Sequence, residues 1–198
     1  MNAKPTQVTT GVVRLSYEHL LKPYAMSGKE EDAKYSVTLL IPKSDTATKA
    51  RLDAAIKAAI QEGQAGKWGG AKVAQPAIPL HDGDGYRQNG EAYGPECAGC
   101  WVMTASSKQQ QEIVDTALNP IFDPTQIYSG MYARVVVNFF AYNSNGKRGV
   151  GAGLGPVQKL RDGEPLGGRI TAADAFGEPA PWGDDIDDVD PITGMPRA

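Results

Sequence analysis

Residues 131–142 alternate without a break. Met131, Ala133, Val135, Val137, Phe139 and Ala141 are all apolar, while Tyr132, Arg134, Val136, Asn138, Phe140 and Tyr142 point the other way. Asn143-Ser144-Asn145-Gly146 then gives a hairpin turn, and a return strand runs from about Lys147 to Leu160. One face of a long hairpin with a wholly apolar row has to be buried, and the period of two fixes which residues those are. The chain is thereby committed to a β fold.

The rest of the chain fits that commitment. Val8–Tyr17 is rich in β formers and reads as a first strand, His19–Ala33 as a loop. In Lys34–Ile41, Tyr35, Val37, Leu39 and Ile41 share one face, and Lys34, Ser36 and Thr38 the other, with Pro42 as the stop. Asp45–Gln64 is the one strong helix: Ser44 or Asp45 caps it, and Leu52, Ile56, Ala59 and Ile60 form a narrow stripe that ends at Gly63. Residues 66–99 are Gly-rich and irregular, a loop of functional length. Trp101–Ser106 is a short strand, and 107–118 reads as a short helix or turn. With no repeated strand–helix units, the expected fold is mainly β: an OB-type five-stranded curved barrel with one main covering helix and long Gly-rich loops. Glycine, 23 of 198 residues or about 12% against a usual ~7%, agrees with so many turns.

Charge divides the chain. The whole carries −3, yet residues 1–172 carry +3 and residues 173–198 carry −6. The second segment also holds four prolines and few aliphatic residues, too little apolar surface to offset its ordering entropy. The expected organisation is a domain at 1–172 and a disordered acidic C-terminal tail at 173–198. Phe176 and Trp182 within the tail go beyond what solubility needs. Trp182 with Asp184, Asp185, Asp187, Asp188 and Asp190 is the candidate partner-binding segment; the alternative is a solubilising tail. No run approaches 18 apolar residues and no secretory signal is visible, so an intracellular protein is expected.

The outward row of 131–142 interleaves three aromatics with Arg134 and Asn138, and Lys147 and Arg148 follow the turn. Rings for bases and cations for phosphates would suit a nucleic acid. The same row would also suit second-core packing or a protein interface. Gly149, Gly151, Gly153 and Gly155 alternate along the return strand, marking either barrel curvature or a close approach by a ligand.

Enzymatic and metal chemistry find little support. Cys97 and Cys100 form a lone C-A-G-C, while only His19 and His81 could complete a tetrahedral zinc site, and their spacing does not match. Buried or half-buried thiols are the better reading. Asp82 and Asp84 lie in D-G-D-G, an ordinary turn composition, so a nuclease-type Mg²⁺ site there is a distant reading. There is no phosphate-binding G-x-x-x-x-G-K-[ST] loop and no G-x-S-x-G motif. No enzyme, cofactor or metal is expected.

Four stretches carry a family resemblance: K-Y-S-V-T-L-L-I-P-K at 34–43, G-P-E-C-A-G-C-W-V-M-T-A-S-S-K at 94–108, I-Y-S-G-M-Y-A-R-V-V-V-N-F-F-A-Y-N-S-N-G at 127–146, and G-L-G-P-V-Q-K-L-R-D-G-E-P-L-G-G-R at 153–169. Together they resemble bacteriophage single-stranded DNA-binding proteins, formerly a domain of unknown function, over roughly residues 5–175. The resemblance implies an OB-type barrel, a groove for single-stranded DNA and an acidic tail, in a protein of phage replication or recombination in the host bacterial cytoplasm. In the usual OB order the helix follows the third strand; here the strong helix follows the second, as an insertion, which leaves 107–118 as the standard helix position. The acidic cluster is internal rather than terminal, followed by Pro191–Ala198.

The leading expectation is therefore a non-enzymatic, largely sequence-independent single-strand binder. Lys34, Arg134, Lys147 and Arg148 would meet phosphates. Tyr132, Phe140, Tyr142 and Trp101 would stack on bases, with Asn138 among them. The alternative is a structural or interaction protein whose aromatic sheet face is a subunit interface. Single-stranded DNA, replication or recombination proteins reading the tail, and further copies of the chain are the partners these readings allow; a membrane is not.

Overall fold

A computed structural model of the chain describes residues 4–87, 89–144 and 146–167. The strands are β1 (Gln7–Thr9), β2 (Val13–Tyr24), β3 (Lys34–Pro42), β4 (Leu80–Asp82), β5 (Cys100–Ser107), β6 (Ile113–Val114), β7 (Tyr132–Ser144) and β8 (Lys147–Arg161). Among the described residues one α-helix, α1 (Thr46–Ala65), lies between β3 and β4.

Five strands close on one another. β2 pairs antiparallel with β3, and β3 with β5. β5 runs parallel to β8, β8 antiparallel to β7, and β7 returns antiparallel to β2. Numbering these five in chain order gives the ring 1-2-3-5-4-1, with its one parallel pair between third and fifth. This is the OB arrangement, and the mainly β fold expected from sequence is the fold observed. β1, β4 and β6 are short additions on β7, β5 and β8.

The interior follows from the alternation. Met131, Ala133, Val135, Val137, Phe139 and Ala141 are all buried, and the first five share one core with Val37, Leu39 and Ile41 of β3 and Met103 and Ala105 of β5. Truncating a fully buried member such as Leu39 to Ala should cost about 2–5 kcal/mol. α1 covers one side of the ring against β7 through Leu52, Ala55, Ile56 and Ala59. The Asp45 carboxylate caps it by accepting from the Thr48 N–H. Gly63 does not end the helix: it lies inside, where a Cβ would stand 2.6 Å from Ala141 Cβ and 2.9 Å from Trp68 Cε2, and the chain stays helical to Ala65.

Three local expectations are corrected. The first strand is two strands, separated at Gly11, whose N–H donates to Thr48 Oγ1 at the head of α1. β2 then continues to Tyr24 through what reads as a loop, because irregularities absorb its polar residues without ending the pairing with β3. Of the short helix or turn expected at 107–118 only a turn forms, closed by the Leu118 N–H donating to the Asp115 carbonyl, while Ile113 and Val114 form β6 beside Val157 and Gln158 of β8, and Ile113 is buried. The connection from β5 to β7, the OB helix position, holds no helix but a 3₁₀ turn at Pro124–Gln126 among the described residues, and α1 covers the ring from a different connection. Among the described residues no helix is long and apolar enough to cross a membrane. The acidic tail lies outside the described residues.

Candidate nucleic-acid interface

The outward face of β2, β3 and β5 is a groove of about 790 Å³. Cross-strand register builds its floor. Ser16 pairs with Thr38 and Thr38 with Thr104; His19 pairs with Ser36 and Ser36 with Ser106. Directly opposed residues share a face, so these short hydroxyl side chains line up in rows. The Thr38 and Thr104 hydroxyls hydrogen-bond each other at 2.9 Å. Small residues on a broad sheet face leave open space above it.

The walls are aromatic and partly cationic. Tyr17, His19, Tyr24 and Met26 stand on the β2 side, Lys34 on β3, and Arg87, Tyr93 and Cys97 on the segment between β4 and β5. Arg87 lies over the Tyr93 ring, 5.2 Å from its centroid. Asp32 is the acid within the groove, and its carboxylate accepts from Ser27 Oγ. His81, opposite Val102, is half-buried, and burial holds its imidazole below the ordinary histidine range. Cys97 is buried beside Leu40 and Val102. Burial first, then the neighbouring Glu96 carboxylate, pushes its thiol up to about 11. Cys100 is half-buried and also raised, chiefly by burial.

The wall after β4 is tied to the ring. Lys43 Nζ meets Asp82 at 2.5 Å and Asp84 at 2.6 Å, and Asp84 also accepts from the Gly99 N–H. Hydrogen bonds from Lys43 come first among the causes that hold both carboxyls below the usual carboxylate range. The acids singled out for Mg²⁺ are therefore engaged with a lysine, and among the described residues no group of three or more His, Cys, Asp or Glu comes together as metal ligands.

The residues singled out by sequence fall in three places. Lys34 is in the groove. Trp101 is opposite Ile41, on the core face with Met103, where Lys43 and Lys49 lie over its ring at 5.2 and 4.6 Å. Tyr132, Arg134, Asn138, Phe140 and Tyr142 are on the outward face of the β7–β8 hairpin, apart from the groove. There the Tyr132 ring lies between Arg161, at 3.6 Å, and Arg14, at 5.9 Å. Arg134 is exposed with Nε directed at the Thr10 carbonyl, and Asn138 Oδ1 accepts from the Thr6 hydroxyl. Lys147 is exposed and Arg148 half-buried at the start of β8. Trp182 and Asp184, Asp185, Asp187, Asp188 and Asp190 lie outside the described residues.

The glycines of β8 have a different cause from those weighed in the sequence. A Cβ on Gly151 would stand 2.7 Å from Phe140 Cζ, one on Gly149 2.6 Å from Tyr142 Oη, and one on Gly155 3.1 Å from Val136 Cβ. The glycines receive the side chains of the strand opposite. Phe140 lies across them and keeps 44% of its surface exposed.

Sequence reasoning missed Tyr17, His19, Tyr24, Met26, His81, Arg87 and Tyr93. Part of the signal was there: the polar rows Lys34/Ser36/Thr38 and Thr104/Ser106 mark two outward strand faces, and pairing them side by side makes the floor.

A closed five-strand ring in OB order, with a groove across its first three strands, defines the oligonucleotide- and oligosaccharide-binding class of fold. The family model of the Enterobacter phage Enc34 single-stranded DNA-binding protein matches residues 6–189, and the chain belongs to that family. Putative protein p50 of Acyrthosiphon pisum secondary endosymbiont phage 1 is 33% identical over 175 residues, spanning 83% of this chain and 89% of that protein. The solved single-stranded DNA-binding protein of bacteriophage Enc34 in complex with single-stranded DNA is similar at 30% identity and a TM-score of 0.69, over 83% of this chain and 91% of that one. The bacteriophage T7 single-stranded DNA-binding protein gp2.5 shares the fold, with a TM-score of 0.53 at 17% identity over 87% of this chain and 97% of that one.

Proposed function

We propose that the chain is a non-enzymatic, largely sequence-independent single-stranded DNA-binding protein of phage replication or recombination, acting in the host cytoplasm. The observation that carries this is the groove over β2, β3 and β5, open enough for bases and rimmed by rings and cations. Stacking accepts every base, and backbone charge accepts every sequence. Membership of the Enc34 family supports the same ligand.

The strand follows the groove past Lys34. The outward face of β7–β8, with Tyr132, Arg134, Asn138, Phe140, Tyr142, Lys147 and Arg148, is the second candidate. Its exposed Phe140 also suits the alternative reading, a subunit interface between copies of the chain. Trp101 acts from beneath the sheet by shaping β5 rather than by stacking. The acidic tail, −6 against the +3 of residues 1–172, competes with phosphates at high effective concentration and offers Trp182 and its aspartates to replication partners.

Gel shift with oligo-dT at two salt concentrations tests the reading. The expected result is a shift that weakens with salt, more steeply once the tail is deleted, where three to five phosphates give a slope of log affinity on log salt of about −2 to −3.5. Deleting residues from about Phe176 onward should strengthen binding most at low salt, where the tail is least screened. Incubation with Mg²⁺ should leave the oligonucleotide intact. A protein that leaves oligo-dT unshifted at low salt contradicts the proposal and favours the interface.

A further inference from the structure

The β2 wall of the groove is built by two breaks in register. Along a regular strand, residues an odd number of positions apart point to opposite faces. His19 follows Ser16 by three positions and Tyr24 follows His19 by five, yet the pairing advances from Ser16↔Thr38 to His19↔Ser36 to Tyr24↔Lys34. Two positions on β3 are matched first by three and then by five on β2. The surplus residues reverse the parity each time, so Ser16, His19 and Tyr24 all face the groove. Bulges of this kind re-aim side chains.

Both breaks are anchored. The first contains Tyr17 at φ 45°, a left-handed backbone that residues with a Cβ avoid. It is held by the Glu18 N–H donating to Ser129 Oγ and the Leu20 N–H donating to Glu18 Oε2. The second contains Pro23, which has no N–H to offer a ladder.

Their product is a stacked pair. The His19 and Tyr24 rings lie 4.6 Å apart at 14°. His19 covers one face of the phenol ring, while Tyr24 keeps 53% of its surface exposed, so the other face is open. Lys34, the cross-strand partner of Tyr24, projects on the same side.

We propose that His19 and Tyr24 form a prebuilt stacking platform, on which a base of the bound strand lies against the open face of Tyr24 while the adjoining phosphate meets Lys34. His19 is a positioning residue: it orders the phenol ring before the strand arrives, so that ordering is not taken out of binding. The proposal rests on the single-strand reading of the groove and names the residues that would serve it.

The full-length protein is titrated with fluorescein-labelled oligo-dT, with thermal melts confirming that each variant is folded. Tyr24→Ala should weaken binding about 5- to 150-fold, the worth of one stacked base. Tyr24→Phe should retain wild-type affinity. His19→Ala should lose less than Tyr24→Ala, and His19→Phe should restore the loss. Independently of any variant, photocrosslinking wild-type protein to 5-iodouracil-substituted oligo-dT should place the adduct on Tyr24. Wild-type affinity in folded Tyr24→Ala, or adducts on Phe140 or Tyr142 with none on β2, would overturn the platform alone. Failure of wild-type protein to bind oligo-dT would overturn the single-strand reading with it.

Discussion

Two outward faces of the same ring are made in opposite ways. Over β2, β3 and β5 the middle of the sheet is small and hydroxylated, and the rings stand at the edges. On the β7–β8 hairpin the rings lie across the middle, on glycines of the neighbouring strand. The first arrangement leaves space for flat guests; the second uses its rings to cover its own backbone. An aromatic residue on an outward row is thus insufficient to mark a binding face. What its ring already touches, and whether its neighbours are shorter than it is, decides whether a base can reach it.

Among single substitutions, filling the groove should have the largest effect. Thr38→Trp would set an indole on the hydroxyl floor, in a strand position that tolerates aromatics. Blocking two stacked bases at about 1–3 kcal/mol each should weaken oligo-dT binding at least 30-fold, with little change in melting temperature. Wild-type affinity in a folded Thr38→Trp protein would remove the groove from the strand's path.

Phe140→Ala probes the other face. It uncovers Gly151, and the loss of a cross-strand aromatic contact should lower stability by about 1 kcal/mol in urea unfolding. Oligo-dT affinity should change less than the roughly fivefold that losing even a weakly stacked base would cost. A large loss of affinity with unchanged stability would reverse the assignment of the two faces.

The smallest effect concerns His81, on the groove side of β4. Burial lowers its folded-state pKa, so the unfolded chain takes up the proton first as pH falls. Its stabilising contribution is complete above about pH 6.5 and is lost progressively below it. His81→Gln should therefore reduce, slightly, the loss of stability between about pH 7.5 and 5.5. An unchanged pH profile would show that the imidazole is not desolvated in the folded protein.

The sequence was most legible where one period governs a whole element. The inward rows of β7 and β3 and α1 with its Asp45 cap obey their periods. The ring of strands followed from these, and so did the class of fold. The candidate site was less legible because its main wall is the strand whose period fails. Counting by twos through β2 sends His19 and Tyr24 to different sides, and only pairing with β3 shows where the surplus residues are absorbed. Tyr93 and Arg87 come from an irregular segment with no period to read. The β8 glycines misled for another reason: their cause lies on β7, and the alternation alone does not say which Phe140 or Tyr142 ring rests on which Gly. Trp101 was readable, since it shares a parity with Met103 and Ala105, but aromatic character outweighed parity in the expectation.

Matched charge reversal compares the two faces most directly. Lys34→Glu with Arg87→Glu changes the groove, and Arg134→Glu with Lys147→Glu changes the β7–β8 face, by the same total charge. Long-range electrostatics are therefore alike in the two proteins, and only the location differs. Equilibrium titration with labelled oligo-dT at a single low salt concentration should show the groove pair weaker than the hairpin pair by at least ~150-fold, two charge-assisted contacts at about 1.5–3 kcal/mol each. Equal losses, or a greater loss in the hairpin pair, would contradict the placement of the strand on β2, β3 and β5.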